Sequence, residues 1–459
     1  MNAGAIIEAS IAYAALAVPS FALFIAAWHA LGQGRIYAVL FGALATYGLI
    51  TLSLVPPLVE EFSADRVYAA THVYFVGAVL LMGSVTFWES WVLPRRSESR
   101  TRWVDRIEAD ASTHARWATL AGVLSMALFL ASRDDLSLSW SETRAEDGFA
   151  VVVATFLLLL SFPGIVSAVL SGRRAQAIAL LGLNLICFVF SGSRAAALGA
   201  LAFFGWIMLA RSKSRWARLR ILIALGVIAL LVHVSLRFIR GFGMAELVDV
   251  LKEGNLLELF RSSPAEQDIS GGESAIAEYF VFAIDSAASS TYGFMTSVVR
   301  LALILVPSSW APFEKPMDVT YQLWASAFSA GLFDGAQGSA LLQESFLTGV
   351  FGSVHATLFG ELFVAGRWPS LVLSSILVGA LCVFVDRCLD RLSNLCALLV
   401  LGPVIVGMLM VGRGNSVIGF GYFVYLTTFV VSAEWLCRFL RRGLLFRSWA
   451  SRTRRVDIR

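Results

Sequence analysis

VFGSVHATLFGELFVA, residues Val350–Ala365, decides how this chain is threaded. The stretch is apolar enough to count as a membrane span, yet it carries His355 and Glu361. A transmembrane helix needs about 20 mostly apolar residues to cross a bilayer core of about 30 Å. If Val350–Ala365 crosses, the arginine-rich C-terminal tail falls on the same side as the acidic loops. If it is a re-entrant element over 350–366, that tail falls on the opposite side, as the rule that Arg and Lys collect in the cytoplasm requires. Backbone at membrane depth without a full span is tolerated only where it is buried in protein or lines a wet cavity. The re-entrant reading therefore points to function.

The composition agrees with a membrane setting. Of 459 residues, 58% are hydrophobic and only 15% charged, and the mean hydropathy is +0.75. A soluble domain carries roughly a quarter charged residues, which excludes a water-soluble globule. Outward from 350–366, apolar segments run over Ile6–His29, Ile36–Val55, Val67–Val92, Trp117–Ala131, Phe149–Leu170 and Ala175–Phe190. They continue over Ala195–Ala210, Ile221–Leu236, Trp368–Phe384, Leu395–Val411 and Ile418–Leu436. The expectation is a single all-α integral membrane domain, 1–459, of about 11 spans. The first segment lacks a basic flank and a small-residue cleavage site, so it reads as a retained helix. The basic loops Pro94–Arg116, Gly172–Arg174 and Arg211–Arg220 are expected in the cytoplasm with the C-terminus. The N-terminus and the acidic or neutral loops Pro56–Asp65 and Ser132–Asp147 are expected outside.

The long outer segment, 237–354, exceeds any connector, and loops beyond about 12–15 residues usually have a job. Met244–Phe260 sets Leu247, Val248, Leu251, Leu256 and Phe260 at helical spacing. Ala275–Ala288 and Leu301–Val306 are apolar but too short to span. The segment reads as a lid of interfacial helices. Five cysteines, all in spans or at cytoplasmic ends, form no disulfide or metal pattern. Phosphate-binding glycine loops are missing, and the basic residues lack the aromatic interleaving of a nucleic-acid binder. No metal, cofactor, nucleotide or nucleic acid is expected.

Of the 36 basic residues, two thirds fall on the cytoplasmic side, where orientation and anionic lipid explain them. The outward set is Arg66, Arg133, Arg144, Arg194, Arg237, Arg240, Lys252, Arg261, Arg300, Lys315, Arg367 and Arg413. Four of these sit at helix ends or in short breaks: Arg194 after Ser191-Gly192-Ser193, Arg237 and Arg240 in Leu236–Gly241, and Arg413 before Gly414-Asn415. One arginine could snorkel to a headgroup. Several at one depth, beside Gly/Ser breaks that turn backbone N–H groups outward, suit a lipid diphosphate, because an Arg fork matches phosphate oxygens bidentately. Candidate acid–base groups are Glu361 and Asp285, the latter seven residues after Glu278 on one helical face. Each reads either as an ion-pair partner for an arginine or as a desolvated carboxylate able to take a proton from a sugar hydroxyl. His355 reads as a cap or phosphate contact, and Trp310-Ala311-Pro312 with Lys315 and Pro316 as a rigid aromatic turn.

Ser191-Gly192-Ser193-Arg194-Ala195-Ala196 resembles the (G/S)-(S/T)-R-A element of Wzy-type bacterial polysaccharide polymerases. Arg237–Gly241 is similar to the basic start of their large periplasmic loop, and Leu305–Pro316 to their tryptophan- and proline-bearing run. His355–Gly366 resembles their P-T-x-x-G-E-x-Y-x-x-x-G segment, and Arg413 falls where they carry an arginine before the last span. His355 stands in place of the usual Pro or Ser, and Ser308 or Ser309 where many relatives have Arg.

The resemblance implies a GT-C-type, metal-independent, inverting glycosyltransferase in the bacterial inner membrane, active on the periplasmic side. It would join undecaprenyl-diphosphate-linked oligosaccharide repeat units, donor and acceptor both lipid-linked. A chain-length-regulating co-polymerase of the Wzz type is the implied partner. Arg194, Arg237, Arg240 and Arg413 would hold the diphosphate, Glu361 or Asp285 would serve as base, and His355, Lys315 and Trp310 would orient the sugars. The alternatives are an O-antigen ligase that transfers polymer to lipid A–core, or a polysaccharide-lipid transporter.

Overall fold

In the computed structural model the described residues are 3–92, 111–131, 164–169, 171–191, 194–212, 214–239, 275–288, 292–303, 319–329, 355–392 and 394–421, with isolated positions between them and within 427–439. Every regular element among them is helical. The first group is α1 (Ala3–Gly32), α2 (Ala38–Ser53), α3 (Val55–Phe62) and α4 (Ala64–Phe87), the last running on into a π-type turn at Trp88–Val92. Next come α5 (Ala111–Ala131), α6 (Arg174–Ser191), α7 (Arg194–Arg211) and α8 (Arg215–Ile239). Three shorter helices follow: α9 (Ala275–Ser286), α10 (Phe294–Ala302) and α11 (Val319–Ser329). The last group is α12 (Thr357–Val364), α13 (Arg367–Arg391), α14 (Asn394–Arg413) and α15 (Ser416–Phe420).

Three stretches among the described residues are long and apolar enough to cross a membrane: Ile11–Gly32, Ala64–Val92 and Arg367–Asp390. The pair α2 and α3, bent by 66° at their junction, would make a fourth. Their outer faces carry large apolar side chains, Val18, Phe21 and Ile25 on α1 and Leu373 and Leu377 on α13. This is an all-α protein with helices suited to a membrane.

The segment Pro56–Asp65, expected as an outer loop, is mostly helix. Pro56 and Pro57 lie in the first turn of α3, where the missing N–H is no loss and the fixed φ suits a helix. The same prolines cannot continue α2, which accounts for the bend. Val55, Leu58 and Phe62, one face of α3, are buried.

The interior is organised around Tyr74 of α4. Its hydroxyl donates to the Leu44 carbonyl at 2.5 Å. Its ring meets Phe280 of α9 edge-on at 6.2 Å and Phe359 of α12 at 5.3 Å. One turn on, Gly77 leaves the space that Phe359 fills: a Cβ there would lie 2.4 Å from the ring.

Helix α9 corrects the picture of 237–354 as interfacial helices throughout. Ile276, Ala277, Phe280, Val281, Phe282, Ala283 and Ile284 are all buried, and α9 packs against α2, α3, α4, α11 and α12. A helix that is apolar nearly all round is a buried helix, not a surface one. By contrast α10 buries no residue and leaves Met295 and Val298 exposed. The amphipathic stretch Met244–Phe260 lies outside the described residues.

One end of the bundle is closed by a cluster of charges. Arg35, between α1 and α2, pairs with Asp386 of α13 at 2.9 Å and with Glu89 at the end of α4. The Ile36 N–H donates to Asp386 Oδ1 at 3.1 Å, and the Tyr37 hydroxyl to Glu89 at 2.8 Å. Trp206 of α7 donates to the Arg35 carbonyl at 3.2 Å. Burial works against the Arg35 charge, but Asp386 and Glu89 outweigh it and raise its pKa above the usual arginine value. The opposite end holds α3, the start of α4, α12, the start of α13 and the end of α14.

Candidate functional site

Helix α12 is eight residues long and every one of them is buried. At 1.5 Å per residue it spans about 12 Å, less than half a bilayer core. Two residues with left-handed backbone bracket it: Thr357 has φ +59° and Arg367 φ +56°. Non-glycine residues in the left-handed region cost about 1–3 kcal/mol each and persist only where the surroundings over-determine them.

Against α12 lies the break between α14 and α15, Arg413-Gly414-Asn415-Ser416. Gly414 takes φ +96°, and a Cβ there would stand 2.6 Å from the Thr357 nitrogen. Only glycine allows that approach. The carbonyl of Gly414 lies 3.4 Å from Nδ1 of His355, which donates to it in the tautomer that carries its proton there. The Ser416 N–H donates to Glu361 Oε2 at 2.9 Å. Glu361 is 2% exposed, and Arg413 is half-buried at the end of α14. Two stretches singled out in the sequence, 355–366 and 411–414, are thus interlocked through backbone and side chain.

Glu361 also lines a groove of about 230 Å³. Leu301 and Val298 of α10, Leu377 and Leu381 of α13 and Phe420 of α15 make it apolar. Its polar exceptions are Glu361, Ser297, Ser374 and Ser416. The Ser374 hydroxyl is buried without a hydrogen-bond partner among the described residues. A groove of this kind suits a hydrocarbon chain with a polar end directed at the carboxylate.

Asp285 has a different setting. It pairs with Arg66 of α4 at 3.1 Å, and its side chain is 39% exposed. The ion-pair reading of Asp285 fits, and the desolvated surroundings expected of a base are not found there. Glu278, on the same helix, is half-buried; burial first and Glu61 second push its carboxyl above the usual range.

The remaining sequence candidates are placed only in part. Arg194 begins α7 and Arg237 lies in the last turn of α8, while their side chains are outside what is described. Arg240, Trp310 and Lys315 lie outside the described residues. Among the described residues no three His, Cys, Asp or Glu side chains gather as a metal site would require.

A second cavity, of about 480 Å³, lies on the other side of α12. Tyr68 and His72 of α4, Ile284 of α9, Phe363 of α12 and Arg367 and Trp368 of α13 line it. Of these, only Arg367 stood among the outward basic residues in the sequence. The i, i+4 spacing of Tyr68 and His72 on one helical face was the available signal, and aromatic rings at a span end are ordinarily an interfacial belt. No family model, no curated protein and no solved structure matches the chain.

Proposed function

We propose that this protein is a polysaccharide polymerase of about 11 spans and GT-C-type architecture in the bacterial inner membrane, N-terminus periplasmic and C-terminus cytoplasmic. It joins undecaprenyl-diphosphate-linked oligosaccharide units on the periplasmic side. The observation that carries this reading is Glu361: a buried carboxylate on a helix too short to span, at the wall of an apolar groove and bonded to the break that follows Arg413.

The chemistry follows from those groups. An acceptor sugar hydroxyl attacks the anomeric carbon of the donor, forming the new C–O bond as the bond to the diphosphate breaks. The hydroxyl proton passes to Glu361, and the electron pair leaves with the diphosphate. Attack opposite the leaving group inverts the anomeric centre. Arg413, with Arg194, Arg237 and Arg240, stabilises the negative charge that develops on the diphosphate. Glu361 is preferred to Asp285 as base because Asp285 is open to solvent and already neutralises Arg66. His355, beside Gly414, orients the substrate together with Lys315 and Trp310. The isoprenoid chain of a lipid-linked substrate occupies the apolar groove. A chain-length-regulating co-polymerase is the proposed partner.

The test is reconstitution. Purified protein in lipid nanodiscs is incubated with a defined lipid-diphosphate oligosaccharide, without metal or nucleotide, and the products are separated on a gel. A ladder of multiples is expected, and it disappears in Arg194→Ala and Arg413→Ala while folding persists. Unchanged input from folded wild-type protein sinks the reading, as does a normal ladder from both variants.

A further inference from the structure

The aromatic cavity and the apolar groove lie on opposite faces of one helix. Glu361 and Leu362 of α12 line the groove, with Ala365 just after its end, whereas Phe363 lines the cavity. Two residues along an α-helix is close to its opposite face, so a helix about 10 Å across separates them. Their linings differ as much as their positions. The groove is aliphatic with a carboxylate, and the cavity is aromatic with a guanidinium.

The rings in the cavity form a connected set. Tyr68 stacks on His72 with 23° between planes, His72 meets Trp368 edge-on at 5.7 Å, and Trp368 meets Phe363 edge-on at 5.3 Å. These contacts hold the rings in place, yet Tyr68 and Trp368 remain 42% and 41% exposed. Arg367 contributes one long hydrogen bond, from Nε to the Ala287 carbonyl at 3.5 Å. Its other donors have no protein partner among the described residues. The left-handed φ of Arg367 sets this guanidinium at the start of α13 against the favoured backbone geometry.

A hydrocarbon chain has no use for a five-donor fork. A sugar ring uses both features: its polarised C–H face rests on an electron-rich aromatic face, and its hydroxyls or an acidic substituent accept from the guanidinium. The volume, about 480 Å³, lies in the range of small-molecule sites. We infer that the cavity between α4, α9, α12 and α13 is a carbohydrate subsite, with sugar stacked on Trp368 and Tyr68 and hydrogen-bonded by Arg367. It holds the oligosaccharide of the lipid-linked acceptor about one helix diameter from Glu361. The assignment of that oligosaccharide as acceptor rests on the polymerase reading; the sugar chemistry of the cavity rests on its lining.

The test uses full-length protein in phosphatidylcholine nanodiscs and, as probe, the oligosaccharide released by mild acid from the lipid-linked pool of the host cells. Saturation-transfer NMR reads binding without any transfer reaction, and thermal unfolding confirms that each variant is folded. Wild type binds, Trp368→Ala and Arg367→Ala weaken binding about tenfold or more, and Trp368→Phe retains most of it. Absence of wild-type binding overturns the inference, as does binding unaffected in both Trp368→Ala and Tyr68→Ala. Displacement of the saccharide signal by glycerophosphate at equal concentration identifies a phospholipid headgroup site and also overturns it. A gel ladder made by a wild-type protein that binds no free saccharide leaves the polymerase reading standing without this subsite. Saccharide binding lost in Trp368→Ala, in a protein that makes no ladder, does the reverse.

Discussion

Glu361 Oε2 and the Ser416 N–H are joined at 2.9 Å across 55 residues of sequence. A backbone N–H only donates, so the bond defines one oxygen of Glu361 as an acceptor whatever the other oxygen does. Positioning and chemistry can therefore be separated in this one side chain.

Glu361→Gln keeps a carbonyl oxygen for Ser416 and removes the ionisable oxygen. Its thermal unfolding is expected within a few degrees of wild type, while polymer formation disappears. Glu361→Ala leaves the Ser416 N–H without this acceptor, at a cost of about 1–3 kcal/mol, and loses stability and activity together. Unfolding curves and product gels for both variants check this; an active Glu361→Gln ends the assignment of Glu361 as base.

Gly414 offers a comparison with Gly172. Both have positive φ, +96° and +74°, but a Cβ at Gly172 meets nothing within 4 Å among the described residues, whereas one at Gly414 meets the Thr357 backbone at 2.6–2.9 Å. Gly172→Ala is expected to cost about 1 kcal/mol, the backbone strain alone. Gly414→Ala adds a collision with main chain that no rotamer relieves, so its loss of stability is several times larger. Parallel denaturation of the two variants measures the difference, and equal losses would falsify the close packing of the break on α12.

Much of this was legible in local sequence. Apolar runs of helical length marked α1, α4 and α13, and a charged residue in an apolar stretch marked Glu361. The Gly414 break announced itself beside Arg413. What local pattern did not carry was partnership. Nothing near Asp285 reveals that it meets Arg66, and nothing near Arg35 points to Asp386, 351 positions away. The burial of α9 was missed because a mostly apolar helix of 12 residues is equally a core helix or an interfacial one. The aromatic cavity is assembled from four helices, so no single stretch contains its signature. The helical content of 55–62 was missed because its charge marked it as an outer loop, whereas the two adjacent prolines in its first turn suit a helix start.

The Arg35–Asp386 pair is predicted to be costly to halve. Both side chains are nearly buried, at 6% and 7% exposed, and removing one member of a buried pair typically costs about 3–5 kcal/mol. Asp386→Asn retains an acceptor for the Ile36 N–H but not the charge, so it is expected to lose less than Asp386→Ala. Arg35→Met combined with Asp386→Leu is expected to lose less than the sum of its parts, because neither charge is left unpaired. A double-mutant cycle by chemical denaturation reads the coupling, and additive losses would show that the two residues do not stabilise one another.

Glu278 predicts a pH dependence with a definite sign. Burial, and then repulsion from Glu61, raises its pKa in the folded protein. A raised folded pKa means that the folded state holds the proton more tightly than the unfolded chain does. Its contribution is therefore fully present below the ordinary carboxylate range and is lost as pH rises through the raised value. Glu278→Gln fixes the neutral form, so it is expected to raise the unfolding temperature at about pH 7.5 and leave it unchanged at about pH 3.5, below the ordinary Glu value of about 4.3. Glu61→Gln removes only the second cause and so shifts the neutral-pH stability in the same direction by less. Both carboxylates lie on packed helices, α9 and α3, so the readout is the stability of that contact. Unfolding temperatures for the three proteins across this pH range decide the matter: a difference between wild type and Glu278→Gln that does not grow with pH removes the raised pKa from the account.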